Sequence, residues 1–159
     1  MTDQTYHYTE SGLDYVYLVD GFEMVGASGR KKVIIKDLEG LHKAIGRHIA
    51  TNKETLTGAD ARFLRHELLM SQATLARLLK VSEQAVHRWE NGKTDKVPGP
   101  AESLLRLMYL EAIGDLNLLG GQHEKIGVTL QRIANIEDEL DGVLSLEDTD
   151  GGWKPAKAA

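Results

Sequence analysis

Six histidines, one basic loop and a run of polar side chains between Ser82 and Glu90 are the parts of this 159-residue chain whose types could do chemistry. His7, His42, His48, His66, His87 and His123 would suit a metal ion, but none forms an HxxxH or HExxH pair. His42 and His48 lie six apart and would face different sides of a helix. With no cysteine in the chain, a closed structural zinc site is not expected, and thiol nucleophiles and iron–sulfur clusters are excluded. The six histidines read as polar surface or as satisfied partners. Ser28-Gly29-Arg30-Lys31-Lys32 lacks the G-x-x-x-x-G-K-[ST] spacing of a phosphate loop and reads as a basic loop. No nucleophile–base pair stands out, so neither an enzyme nor a bound cofactor is expected.

The polar run is different, because its spacing sorts it into two faces. In SEQAVHRWE, Ser82 is a helix cap. Val86 and Trp89 turn inward, while Glu83, Gln84, His87 and Arg88 share the outer side. Together they offer hydrogen-bond donors, acceptors and a permanent cation. The preceding segment, SQATLARLLK, carries an apolar stripe of Leu75, Leu78 and Leu79 and is separated from the polar helix only by Lys80-Val81. Two short helices joined so tightly cross at a steep angle. Ala76 is small enough to admit the second helix, and Val81 plugs the turn.

Flanking helices complete this middle region. One is expected at about 59–69 with Phe63, Leu64 and Leu68 inside; another, at about 101–112, draws on Leu104, Leu105, Leu107, Met108 and Leu110. Between them NGKTDKVPGP is a breaker-rich loop, with Gly92 suited to follow a helix end. Upstream, residues 13–36 read as two or three short strands with an Asp20-Gly21 turn, followed by a helix that Asp37 caps and that carries Leu38, Leu41, Ile45 and Ile49. Downstream, Ile126, Leu130, Ile133 and Leu140 fall on one helical face. VLSLE and GGWK then form a terminal hairpin around TDGG, with an exposed Trp153 as its cap or as an interface anchor. The expected fold class is mainly α (α+β), with modules at 1–55, 56–114 and 115–159.

Apolar residues are 42% and charged residues 27%, the balance of a folded chain. No stretch approaches the roughly 20 apolar residues of a membrane helix. The N-terminus lacks the basic and apolar regions of a secretory signal, so a cytoplasmic setting is expected. The net charge of −5 hides an asymmetry: residues 1–58 carry −1, residues 59–97 carry +2 and residues 98–159 carry −6. The middle is locally basic and the tail acidic.

The string S-Q-x-x-L-A-x-x-L-x-V-S-x-x-x-V-x-x-W-E-N-G closely resembles the helix-turn-helix of Cro/cI-type (XRE) repressors. It is carried by Ser71, Gln72, Leu75, Ala76, Leu79, Val81, Ser82, Val86, Trp89, Glu90, Asn91 and Gly92. The resemblance extends over residues 59–112, about a third of the chain. Where this family usually holds Gly in the turn, the chain has Lys80, at a cost of about 1–2 kcal/mol if the residue is left-handed. The wider layout, a small β-rich front followed by LTGADARFLRHEL and the motif, is similar to MqsA-like antitoxins. The zinc cysteines of that front end are missing, with Ser11 in the ESGLDYVYL segment where a thiol would be expected.

The resemblance implies a lambda-repressor-like bundle whose second motif helix enters the major groove of double-stranded DNA. On that pattern Gln84 would pair with adenine, Arg88 with guanine and Glu83 with cytosine N4, with His87 adding a water-mediated or shape-dependent contact. Glu83 has a second possible role, orienting Gln72 or Arg88. Ser71, Gln72, Ser82, Asn91, Lys93, Thr94, Lys96 and, more weakly, Arg65 would touch the DNA backbone. The basic loop at residues 28–32 is open to flanking DNA or to a partner. Useful specificity implies a homodimer on a two-fold operator, with the acidic tail free to supply the contact, and the antitoxin-like layout implies a toxin protein as a further partner.

Overall fold

The computed structural model describes residues 5–27, 29–92, 96–115, 131, 133–137 and 142–157. These residues fall into two compact units: Met1–Ile45 with Asp141–Ala159, and Gly46–Leu140.

The first unit is built from both ends of the chain. Strands β1 (Tyr6–His7), β2 (Val16–Leu18), β5 (Leu144–Thr149) and β6 (Gly152–Pro155) form one sheet in the order β1-β2-β5-β6. The β1–β2 and β5–β6 pairs are antiparallel, and β2 runs parallel to β5 with Val16, Tyr17 and Leu18 opposite Leu144, Ser145 and Leu146. Alternate residues Val16, Leu18, Leu144 and Leu146 are buried, as are Leu13, Leu41 and Ile45 of the same unit. Strands β3 (Phe22–Val25) and β4 (Lys32–Ile35) make a separate antiparallel ribbon.

Trp153 closes the first unit. It is buried, and its Nε1 donates to the carbonyl oxygens of Lys36 (2.9 Å) and Asp37 (3.1 Å). A Cβ on Gly21, which sits at φ 74°, would lie 2.5 Å from the Trp153 ring. The Asp20-Gly21 turn therefore needs glycine for both its backbone angle and its clearance. Trp153 is thus buried within its own unit, where the sequence led one to expect it exposed.

This pairing differs from the expected partition at residues 55 and 114, which separated the terminal hairpin from the N-terminal strands. The reason is physical. A ribbon made of β1 and β2 alone is too short to be stable, and β5 gives it a third strand and a second buried row.

In the second unit the last turns of α1 (Leu38–Asn52) join α2 (Gly58–Glu67), α3 (Gln72–Leu79), α4 (Glu83–Asn91) and α5 (Gly99–Ala112). Asp37 begins α1, its Oδ1 accepting from Gly40 N at 3.1 Å. Thr57 and Asp60 make a reciprocal capping box at the start of α2. Leu64, Leu75, Val86, Leu105 and Leu110 are among the residues fully enclosed in this unit's core.

A charged side chain sits in that core. Arg106 is fully buried and its guanidinium donates to the carbonyls of Ile49 and Ala50 in the last turn of α1 and of Lys53 and Glu54 just beyond it. Glu102 neutralises it at 2.6 Å and accepts from Leu56 N through its other oxygen. The pair fixes the connector between α1 and α2. Gly46 on α1 admits Tyr109 of α5, whose hydroxyl would stand 2.1 Å from a Cβ there. The expected tail helix lies mostly outside the described residues.

Candidate nucleic-acid interface

Two serines set the helices that carry the polar run. Ser71 Oγ accepts from Thr74 N at 3.0 Å to open α3, and Ser82 Oγ accepts from Ala85 N at 3.1 Å to open α4. Between them Lys80 adopts φ 58° and ψ 39°, the left-handed region. Val81 N reaches back to Ala76 O at 3.0 Å, the six-residue closure that ends a helix in a Schellman turn. Lys80 thus takes a left-handed conformation without glycine, and the turn closes despite the side chain.

The second helix presents two faces. Val86 and Trp89 are buried, whereas Glu83, Gln84, His87 and Arg88 are all exposed along its other side. Ser71, Ser82 and Lys96 are exposed as well; Lys93 and Thr94 lie outside the described residues. The Ser71 and Ser82 hydroxyl oxygens both accept from backbone N–H groups, and Ser71 also donates to Thr74 Oγ1.

Arg65 is a correction. It is buried, and its guanidinium grips Glu90 with two bonds, Nε to Oε1 at 2.6 Å and Nη2 to Oε2 at 2.8 Å, while Nη1 donates to Met70 O at 2.8 Å. A guanidinium spent this way inside the protein is not presented to a phosphate. Gln72 joins the same cluster, its Nε2 donating to Glu90 Oε2 at 2.8 Å. Glu90, rather than Glu83, is therefore the carboxylate that orients Gln72. Burial pushes the Glu90 carboxyl up, but the hydrogen bonds from Arg65 and Gln72 outweigh it and hold the group below the ordinary carboxylate range.

Asn91, which is exposed, folds back on its own helix: its Nδ2 lies 3.0 Å from His87 O and 3.2 Å from His87 Nδ1.

Sequence reasoning missed the Glu90 hub, since its partners stand 18 and 25 residues away and no local spacing joins them. The Asn91–His87 contact did carry a signal, the i,i+4 spacing of polar residues on one helix.

The polar face, the capped crossing and the buried Val86–Trp89 side together describe a unit that offers one helix outward. The helix-turn-helix family model matches residues 62–98. Over those residues the chain is similar to the helix-turn-helix family.

The match spans less than a quarter of the chain, within the second unit. No curated protein and no solved structure matches the chain. The helix-turn-helix match supports a DNA-binding transcriptional regulator. Its fold is α+β, as expected, and no helix among the described residues is long and apolar enough to cross a membrane.

Two of the histidines pair with tyrosines, and His123 lies outside the described residues. His42 Nε2 lies 2.8 Å from the Tyr8 hydroxyl, and His7 stacks on Tyr17 at 4.4 Å between ring centres. Among the described residues, no three His, Cys, Asp or Glu side chains are placed to hold a metal ion.

Proposed function

We propose that the protein is a dimeric, sequence-specific repressor that reads a two-fold operator with α4. The supporting observation is the exposure of Glu83, Gln84, His87 and Arg88 on one side of a helix whose opposite side is anchored by Val86 and Trp89. Gln84 pairs with adenine and Arg88 with guanine in the major groove, and Glu83 accepts from cytosine N4. Ser71, Gln72, Ser82, Lys93, Thr94 and Lys96 set register on the sugar–phosphate backbone. One such unit makes few contacts, so two copies engage half-sites about 34–36 Å apart.

Selection of bound duplexes from a random pool, followed by gel shift, tests this. The wild-type protein enriches a palindromic site, and Gln84→Ala and Arg88→Ala each cost about 1–3 kcal/mol and relax one position. Lys96→Ala weakens all duplexes about equally and lowers the salt slope by about 1. A folded variant carrying both Gln84→Ala and Arg88→Ala that binds the same site with unchanged affinity would overturn the assignment of α4.

A second reading makes the protein an antitoxin that also binds a toxin protein and controls its own operon. The β3–β4 ribbon supports it, because Met24, Val25 and Ile34 are exposed apolar residues there. Co-purification of a neighbouring gene's product from the native host, lost on Ile34→Glu, is the expected result. Purification of the protein alone from that host would set this reading aside.

A further inference from the structure

The Asn91 amide decides which nitrogen of His87 carries a proton. Asn91 closes α4 one turn beyond His87, and its Nδ2 faces both the His87 carbonyl oxygen and Nδ1. A carbonyl oxygen only accepts, so the group opposite it is the amide's NH2 end and not its oxygen. That NH2 has only hydrogens to offer Nδ1, and Nδ1 must therefore be the bare, accepting nitrogen. In the neutral ring the proton then sits on Nε2.

Both residues are exposed, and His87 lies among the four side chains on the outer side of α4. We propose that Asn91 positions His87 as a fixed Nε2–H donor toward the DNA, so that His87 determines specificity at one base pair. The inference rests on the reading of α4 given above. A donor selects an edge that accepts, such as guanine N7 and O6 or thymine O4, and it disfavours cytosine, whose major-groove edge offers only the N4 donor. A histidine free to exchange its two neutral tautomers would accept as readily as it donates and would discriminate less. Asn91 acts through His87 and is a positioning residue.

Two measurements test this. Ring-nitrogen NMR of the free protein in mildly alkaline buffer is expected to show His87 protonated at Nε2, and a tautomer mixture in Asn91→Ala. Selection from a random duplex pool is expected to show one position where the wild type rejects cytosine. His87→Ala relaxes that position by about tenfold, Asn91→Ala relaxes the same position less, and the other positions are unchanged. A wild-type ring protonated at Nδ1 would overturn the proposal. So would an unchanged preference in His87→Ala while Gln84→Ala and Arg88→Ala alter theirs, an outcome that leaves α4 as the reading helix. If Gln84→Ala, Arg88→Ala and His87→Ala all leave the selected site unaltered, the α4 assignment itself fails and the role of His87 goes with it.

Discussion

A Cβ on Gly58, the first residue of α2, would stand 1.8 Å from the carbonyl oxygen of Trp89 near the end of α4. The obstructing atom is backbone, so no side-chain rotation can relieve the overlap. Gly58→Ala must push the two helices apart and is expected to destabilise the protein by about 1–3 kcal/mol, read as a lower Tm. Because α4 is the element displaced, DNA affinity falls even at temperatures where the variant stays folded. An unchanged Tm and affinity would mean that α2 and α4 do not meet this closely.

Arg106 makes a harsher prediction. Arg106→Met fills similar space but leaves Glu102 buried without its cation and takes the guanidinium from four carbonyls. Breaking such a pair costs about 3–5 kcal/mol, measurable by urea unfolding. Adding Glu102→Gln to Arg106→Met removes the orphaned charge and is expected to recover part of that loss. No recovery would show that the carbonyl bonds, rather than the ion pair, carry the cost.

These two sites show what the sequence could and could not disclose. The helix caps at Thr57, Ser71 and Ser82, the apolar stripes and the turn at Lys80-Val81 are local patterns, and each is legible at a spacing of a few residues. The outward set Glu83, Gln84, His87 and Arg88 follows from the same periodicity, because Val86 and Trp89 have only one way to face inward. Long-range pairings leave no such trace. Arg65 looks like any surface cation until Glu90, 25 residues on, folds against it. The parallel pairing of β2 with β5 joins segments almost the whole chain apart, where hydrophobic alternation marks each strand but not its neighbour.

That pairing has its own test. Trp153→Ala removes a buried ring and its two hydrogen bonds to the start of α1, at an expected cost of about 3–5 kcal/mol to the first unit. Limited proteolysis should then cut first within residues 22–35, while the helices of the second unit resist longer. Equal cleavage rates in variant and wild type would mean that the C-terminal strands do not hold the N-terminal ones in place.

Glu90 couples stability to acidity. Its carboxyl is held below the ordinary range in the native protein and titrates in that range once the chain unfolds. The unfolded state therefore takes up the proton first as pH falls. The stabilisation is fully present above the ordinary carboxylate range and drains away as pH drops through the lower, native-state value. Glu90→Gln has no proton to gain. It loses the charge-assisted bonds from Arg65 at every pH, so its unfolding free energy at neutral pH is expected to fall by about 1.5–3 kcal/mol. Its acid slope should be shallower than that of the wild type. Unfolding by urea from neutral pH downward, followed for both proteins, should show the two curves converging in acid. Parallel curves would mean that Glu90 keeps its ordinary affinity for a proton and that the Arg65 and Gln72 bonds do not hold it.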